Sequence, residues 1–255
     1  MLAHRRGARR AAGGGGHLVG DVVGAARSRA LVAVALVALA APALLSACRG
    51  GDAPGDVDAA ALLRSAAERT ELVQSFHFLL EHEHGATQIV RGLLMTRAEG
   101  DAVGSDRLKL DVKATAGPLN LNVGIVVIGP EAWITNPLTG RWERERISLQ
   151  QVFDPAHGVT ALMRAASAPS ITATERVGGA RTYRVEANVD SGQVTLFGTP
   201  QAGRRLRAIA WVGVDDPLVY RIVLQGPITA GEAPDIERHL MLSNFDARID
   251  ISPPQ

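Results

Sequence analysis

The chain holds a single cysteine, Cys48, and it ends the stretch Leu45-Ser46-Ala47-Cys48. Ahead of it runs an apolar segment from Ala30 to Leu44, roughly 15 residues, preceded by an Arg-rich leader. Basic residues, a short apolar run, small residues and then cysteine form the order of a bacterial secretory signal that is cut in front of a thiol. A lone cysteine cannot close an internal disulfide, so the thiol is read as one awaiting acylation by groups such as palmitate. The apolar run is short beside the ~20 residues of a membrane-spanning helix, and Pro42 and its alanines weaken it further. Residues 1–47 are therefore expected to be a signal peptide. Cys48 is expected to be the lipidated mature N-terminus, and the remainder to work on the extracytoplasmic side of the cell membrane.

Other residues invite chemistry and fall short of it. His82 and His84 are two apart on an expected strand and so share a face, as in some zinc sites. His77 has the opposite parity, as do Glu81 and Glu83, and no cysteine or third histidine completes a set. No metal site is expected. The sequence has no Gly-x-Ser-x-Gly elbow and no His-Glu-x-x-His, so no catalytic residue and no cofactor is assigned. Asp215-Asp216 imitates a paired carboxylate, but Pro217 makes it a turn. Arg141, Arg144 and Arg146 alternate with Glu143 and Glu145 around Trp142, which reads as a solvated strand face, with anionic lipid head groups as the sharper alternative.

Charge narrows the partners. The whole chain carries 27 basic and 26 acidic residues. Arg5, Arg6, Arg9, Arg10, Arg27 and Arg29 of the leader stand against Asp21 alone, which leaves 21 basic and 25 acidic residues, about −4. That argues against nucleic acid, whose binders show a basic patch. Aromatic residues make up 4%, so a core or pocket must be built from Leu, Val, Ile and Ala.

Residues 48–57, with Gly50, Gly51, Pro54 and Gly55, read as a flexible tether. Residues 58–255 read as one domain. Asp58 is a suitable N-cap for a helix through Thr70. From Ser75 the period changes to two. Phe76, Phe78 and Leu80 alternate with polar neighbours, Gly85 turns the chain, and Ile89 to Glu99 returns. Leu108, Leu110 and Val112 alternate with Arg107, Lys109, Asp111 and Lys113; Leu119 to Ile128 follows after Gly117-Pro118. Strands over Glu131 to Thr135 and Arg141 to Arg146 complete a six-stranded meander. A helical turn at Ser148 to Phe153 and a helix carrying Val159, Leu162 and Met163 break the rhythm, with Pro169 as terminator. Strands resume over Ser170 to Val177 and Arg181 to Val189, with a short helix in Ser191 to Phe197. Arg205 to Val214, Leu218 to Leu224 and Ile236 to Ile251 close the chain. The expected class is α+β: a strongly curved antiparallel sheet, a half-barrel of about eleven strands, with a few helices covering its concave face.

Several strands are apolar on both faces. Either the helices cover the second face as plain core, or sheet and helices leave an apolar cavity. The residues placed to line it are Phe76, Phe78, Leu80, Leu108, Leu110, Val112, Leu121, Val123 and Ile125, with Val159, Leu162 and Met163 as a lid.

Phe153-Asp154-Pro155-Ala156, Gly158-Val159 and Leu162, the strand pair across Gly178-Gly179, Ala210-Trp211-Val212, Leu242-Ser243-Asn244-Phe245 and the terminal Ser252-Pro253-Pro254 come in a telling order. In that order, behind the cysteine motif, the chain resembles the LppX/LprA/LprF/LprG lipoproteins of mycobacteria over Asp58 to Pro254. The resemblance implies a fold related to the LolA/LolB-like lipoprotein carriers. It also implies a role: binding an acylated lipid or glycolipid in a cavity and transferring or presenting it in the cell envelope, without enzymatic activity. The partners expected are that lipid, the cytoplasmic membrane through the Cys48 anchor, and a membrane lipid exporter as a candidate. The competing reading is a structural or sensory envelope lipoprotein with a closed core and no cargo.

Overall fold

The computed structural model describes residues 57–89, 92–146, 155–194, 196 and 201–255. Signal segment 1–47, Cys48, the tether up to residue 56, the turn expected at Ser148 to Phe153, and Phe197 lie outside the described residues. The described part belongs to a compact unit spanning Arg49–Gln255.

The chain enters through helix α1 (Ala59–Glu71), capped by Asp58, whose carboxylate accepts from the Ala60 N–H at 2.8 Å. Its buried residues, Leu63, Ala66, Ala67 and Thr70, recur at helical spacing along one side. The strands are β1 (Ser75–Glu83), β2 (Thr87–Gln88), β3 (Leu94–Val103), β4 (Arg107–Ala116), β5 (Leu119–Ile128), β6 (Glu131–Thr135) and β7 (Trp142–Glu145). After helix α2 (Pro155–Ala165) come β8 (Ser167–Val177), β9 (Ala180–Asp190), β10 (Arg205–Gly213), β11 (Val219–Gln225) and β12 (Glu237–Ser243). All join one antiparallel sheet in the order β7-β6-β5-β4-β3-β1-β12-β11-β10-β9-β8, with β2 added beside β3. Neither end strand pairs with the other, so the sheet is open and not a closed barrel. β1 and β12 sit at its centre, which joins two meanders into one surface.

α1 packs on α2, and the pair approaches the sheet most closely at β8, β9 and β10. We call the helix-side face of the sheet inner and the other outer. A small cluster on the outer face gathers Val126, Trp133 and Ile251, with Ile249 and Trp142 against it. The C-terminal tail is therefore used to cover part of that face.

Four sequence expectations shift. The strand expected from Ile89 to Glu99 is β3 and runs on to Val103, because Gly100 continues the strand and does not end it. α2 stops at Ala165, ahead of Pro169. Pro169 instead lies in β8, at the sheet edge, within the irregular register between Ser167 and Ser170, where a missing N–H costs no ladder bond. The last strand does not reach Ile251. It ends at Ser243, where Asn244 and Asp246 take φ of 52° and 55°, and Asp246 accepts from the Gln74 N–H at 2.7 Å. Finally, His84 (φ 56°) lies beyond the end of β1, so it does not share a strand face with His82.

Candidate functional site

Pairing register carries one apolar row across nine strands. Val123 faces Val112 and Val112 faces Ala98. Ala98 faces Leu80, which on its other side faces Leu240. Leu240 then faces Ile222, Ile222 faces Ala210, Ala210 faces Val185, and Val185 faces Ile171. Side chains alternate between faces along each strand, so this row and its parallels make the inner face. On the outer side of the same strands sit the charges: Arg97 pairs with Glu81 and Glu99, and His77 lies 2.8 Å from Asp101.

Eleven of the twelve residues placed by sequence at the cavity and lid are buried in the one large apolar cluster, and Leu121 packs against it half-buried. Phe78, Leu80, Leu108, Val159 and Leu162 are 0% exposed. α1 contributes Leu63, Ala66 and Ala67 to the same cluster. The inner face does not stop where this cover stops. Leu119, at the start of β5 opposite Ala116, has the same parity and is 55% exposed.

Along β1, β3, β4, β5, β6, β10 and β12, only two inner-face positions are ionisable, and they are register partners: His82 and Arg238. Arg238 is 1% exposed. Its Nε donates to Thr87 Oγ1 at 3.0 Å and its Nη1 to the Gly226 carbonyl at 3.0 Å. Its Nη2 lies 2.5 Å from Glu232, a carboxylate almost as deeply buried. Glu232 belongs to the connection 226–236 and also accepts the Ile228 and Thr229 N–H groups at 2.6 and 3.1 Å. Burial pushes the Glu232 carboxyl up, but Arg238 and those two N–H groups outweigh it and hold it below the usual range. His82 donates from Nδ1 to the Thr96 carbonyl at 3.2 Å and sets Nε2 2.9 Å from Thr87 Oγ1. Burial, with the Arg238 charge beside it, pushes the imidazole down to about 4. Sequence reasoning missed Arg238 and Glu232; the alternation Arg238, Leu240, Leu242 was the signal that could have placed the arginine inward.

Among the described residues, one other group could face an ion: Glu83, Glu237 and His239 on the outer face. Arg221 lies 3.0 Å from His239 Nδ1. An arginine only donates, so the ring proton sits on Nε2, directed at Glu237 (3.1 Å) and Glu83 (3.7 Å). The ring meets those carboxylates as a donor and offers no lone pair there. Asp216 receives Arg69 in a two-pronged pair, Nε at 2.9 Å and Nη2 at 3.2 Å, while Asp215 and Asp216 also border a groove of ≈ 460 Å³. Arg141, Arg144, Trp133 and Trp142 border another of ≈ 620 Å³ on the outer face, with Arg144 5.6 Å above the Trp133 ring.

The sequence model of the LppX_LprAFG lipoprotein family matches residues 58–251. The chain belongs to this family. Among solved structures, it is similar to LprF from Mycobacterium bovis, at 16% identity and a TM-score of 0.61, over 77% of this chain and 96% of that one. It is also similar to LppX from Mycobacterium tuberculosis, at 16% identity and a TM-score of 0.55, over 76% of this chain and 97% of that one. A LolA superfamily protein from Nitrosomonas europaea matches with a TM-score of 0.28 at 16% identity, over 76% and 94% of the two chains. No curated protein sequence matches. For this LppX_LprAFG member, as for LprF and LppX, the shared architecture is the open antiparallel sheet with its helices on one face. Among the described residues, no helix is long and apolar enough to cross a membrane.

Proposed function

We propose that this protein is a non-enzymatic envelope lipoprotein, anchored through Cys48 to the outer side of the cell membrane, that holds the acyl chains of a lipid between its inner sheet face and its helices. It would carry or present that lipid within the envelope. The observation that carries this reading is the apolar row that crosses nine strands and continues, on the same face, to an exposed Leu119. A closed core needs no such extension past its cover. Each buried methylene stabilises by about 0.8 kcal/mol, so long chains would be held without any catalytic group.

The completeness of burial favours a second reading, the closed structural lipoprotein. Inner-face residues at 0% exposure are packed in one apolar cluster in this conformation, so lipid entry requires the helices to move off the sheet. The two readings separate by experiment. The full-length chain is purified from bacterial membranes, exchanged into a non-lipid detergent, extracted with organic solvent and weighed by native mass spectrometry. The expected result is a co-purified lipid with two or more acyl chains, lost in Val123→Trp or Ile125→Trp. A lipid-free protein that takes up no added diacyl lipid supports the closed core.

A further inference from the structure

We propose that Arg238 is the head-group site of the inner face: it receives the oxyanion of an anionic acyl lipid, and Glu232 occupies its guanidinium until that lipid arrives. This rests on the acyl-lipid reading above and names the class of lipid.

Placement is the first argument. Arg238 shares its strand face with Leu240 and Leu242 and lies two residues, about 7 Å, from the apolar row through Leu240. A lipid whose chains run outward from Leu240 along that row has its polar end beside this point. Along β1, β3, β4, β5, β6, β10 and β12, Arg238 is the one charged inner-face position; Glu143 and Glu145 share its parity only on the end strand β7, and Arg176 and Arg181 only at the β8–β9 edge.

Charge is the second argument. A buried guanidinium without a counter-charge is strongly destabilising, whereas apolar replacement of a whole buried pair is often harmless. Core stability in general does not call for such a pair. Only another anion can take the place of Glu232 without stranding Arg238. The fork of an arginine matches phosphate and carboxylate oxygens equally well.

The position of Glu232 is the third argument. It comes from 226–236, which contains no helix or strand, and two of its acceptor contacts are to that segment's own N–H groups, Ile228 and Thr229. Carboxylate and segment can leave Arg238 together, keeping those bonds. Thr87 Oγ1, shared among Arg238, Glu232 and His82, remains as a hydroxyl for the incoming group.

The test uses the full-length protein in detergent micelles with matched probes. Dioleoylphosphatidylglycerol is compared with dioleoylglycerol, and oleate with oleyl alcohol, in wild type, Glu232→Gln and the paired variant Arg238→Met/Glu232→Gln. Circular dichroism checks each fold. The anionic probe of at least one pair should bind about tenfold more tightly than its neutral partner, as one charge-assisted contact allows. Glu232→Gln should widen that preference, and the paired variant should abolish it while still binding the neutral lipid. The phospholipid arm assigns a phosphate head group and the oleate arm a carboxylate. Equal binding of charged and neutral probes, or a preference that survives in the paired variant, overturns the Arg238 assignment and leaves the acyl reading intact. No binding of any probe overturns both.

Discussion

Phe78 lies directly opposite Gly100 in the β1–β3 ladder, and Gly100 lies opposite Leu110 in the next. A side chain at position 100 would overlap the Lys109 carbonyl oxygen and bring its first carbon within 2.7 Å of the Leu110 Cα. Phe78 is 0% exposed, so the sheet has been drawn in around the missing side chain, and the phenyl ring has its place because of it. Gly100→Ala is expected to destabilise the fold by about 1–3 kcal/mol, the usual scale of overpacking. Urea unfolding measures this. An unchanged midpoint would mean that the neighbouring strand has slack at Leu110.

His82 gives the protein an acid-sensitive element. Its pKa stands near 4 in the fold and near 6.5 in an unfolded chain. Between those values the unfolded chain binds the extra proton, so stability must rise with pH there and fall on acidification. The loss begins as pH drops through 6.5 and is complete below 4. Its ceiling is about 3 kcal/mol at 1.36 kcal/mol per pH unit, reduced because the ring is not fully buried. His82→Gln should flatten the slope of Tm between pH 6.5 and 4; an identical slope in that variant would assign the sensitivity elsewhere.

Much of the sheet could be read from period and turn. Leu108, Leu110 and Val112 between charged neighbours gave β4 and its inward face directly, and Asp58 announced α1. The errors share a cause: local signals that tertiary contacts overrule. The strand read as stopping at Glu99 runs on to Val103, with Gly100 as a close approach between strands. Pro169 looked like a helix stop and is an edge-strand residue. Ile249 and Ile251 looked like more strand, but Asn244 and Asp246 turn the chain, and these isoleucines pack on the outer face instead. The inner-face apolar residues were legible because burial and alternation coincide. Glu232 was not, since its partner Arg238 is close in sequence number but reached through an irregular segment with no period to read.

Leu119 offers a way to separate binding from folding. It is 55% exposed yet lies on the inner-face parity, across from Ala116. Replacing an exposed leucine usually changes stability by less than about 0.5 kcal/mol. Leu119→Asp is therefore expected to leave Tm nearly unchanged while weakening uptake of a fluorescent diacylglycerol several-fold, about the effect of 1 kcal/mol. Uptake at the wild-type level would remove this end of the face from the entry route.

Arg69 joins the last turns of α1 to the β10–β11 connection by its paired contact with Asp216, and reaches Asp246 at 3.8 Å. Both partners keep solvent contact, at 29% and 45% side-chain exposure, so the pair is worth at most about 1 kcal/mol and less in high salt. That is too little to decide folding but enough to matter for opening. If lipid exchange requires α1 to lift from the sheet, a loss of about 1 kcal/mol in the closed state speeds exchange about fivefold. Arg69→Met should thus lower Tm slightly and accelerate transfer of a fluorescent diacyl lipid from protein to vesicles. High salt should narrow the difference between wild type and variant. Exchange at the wild-type rate, together with the small loss in Tm, would show that α1 stays seated and that the lipid passes beside α2.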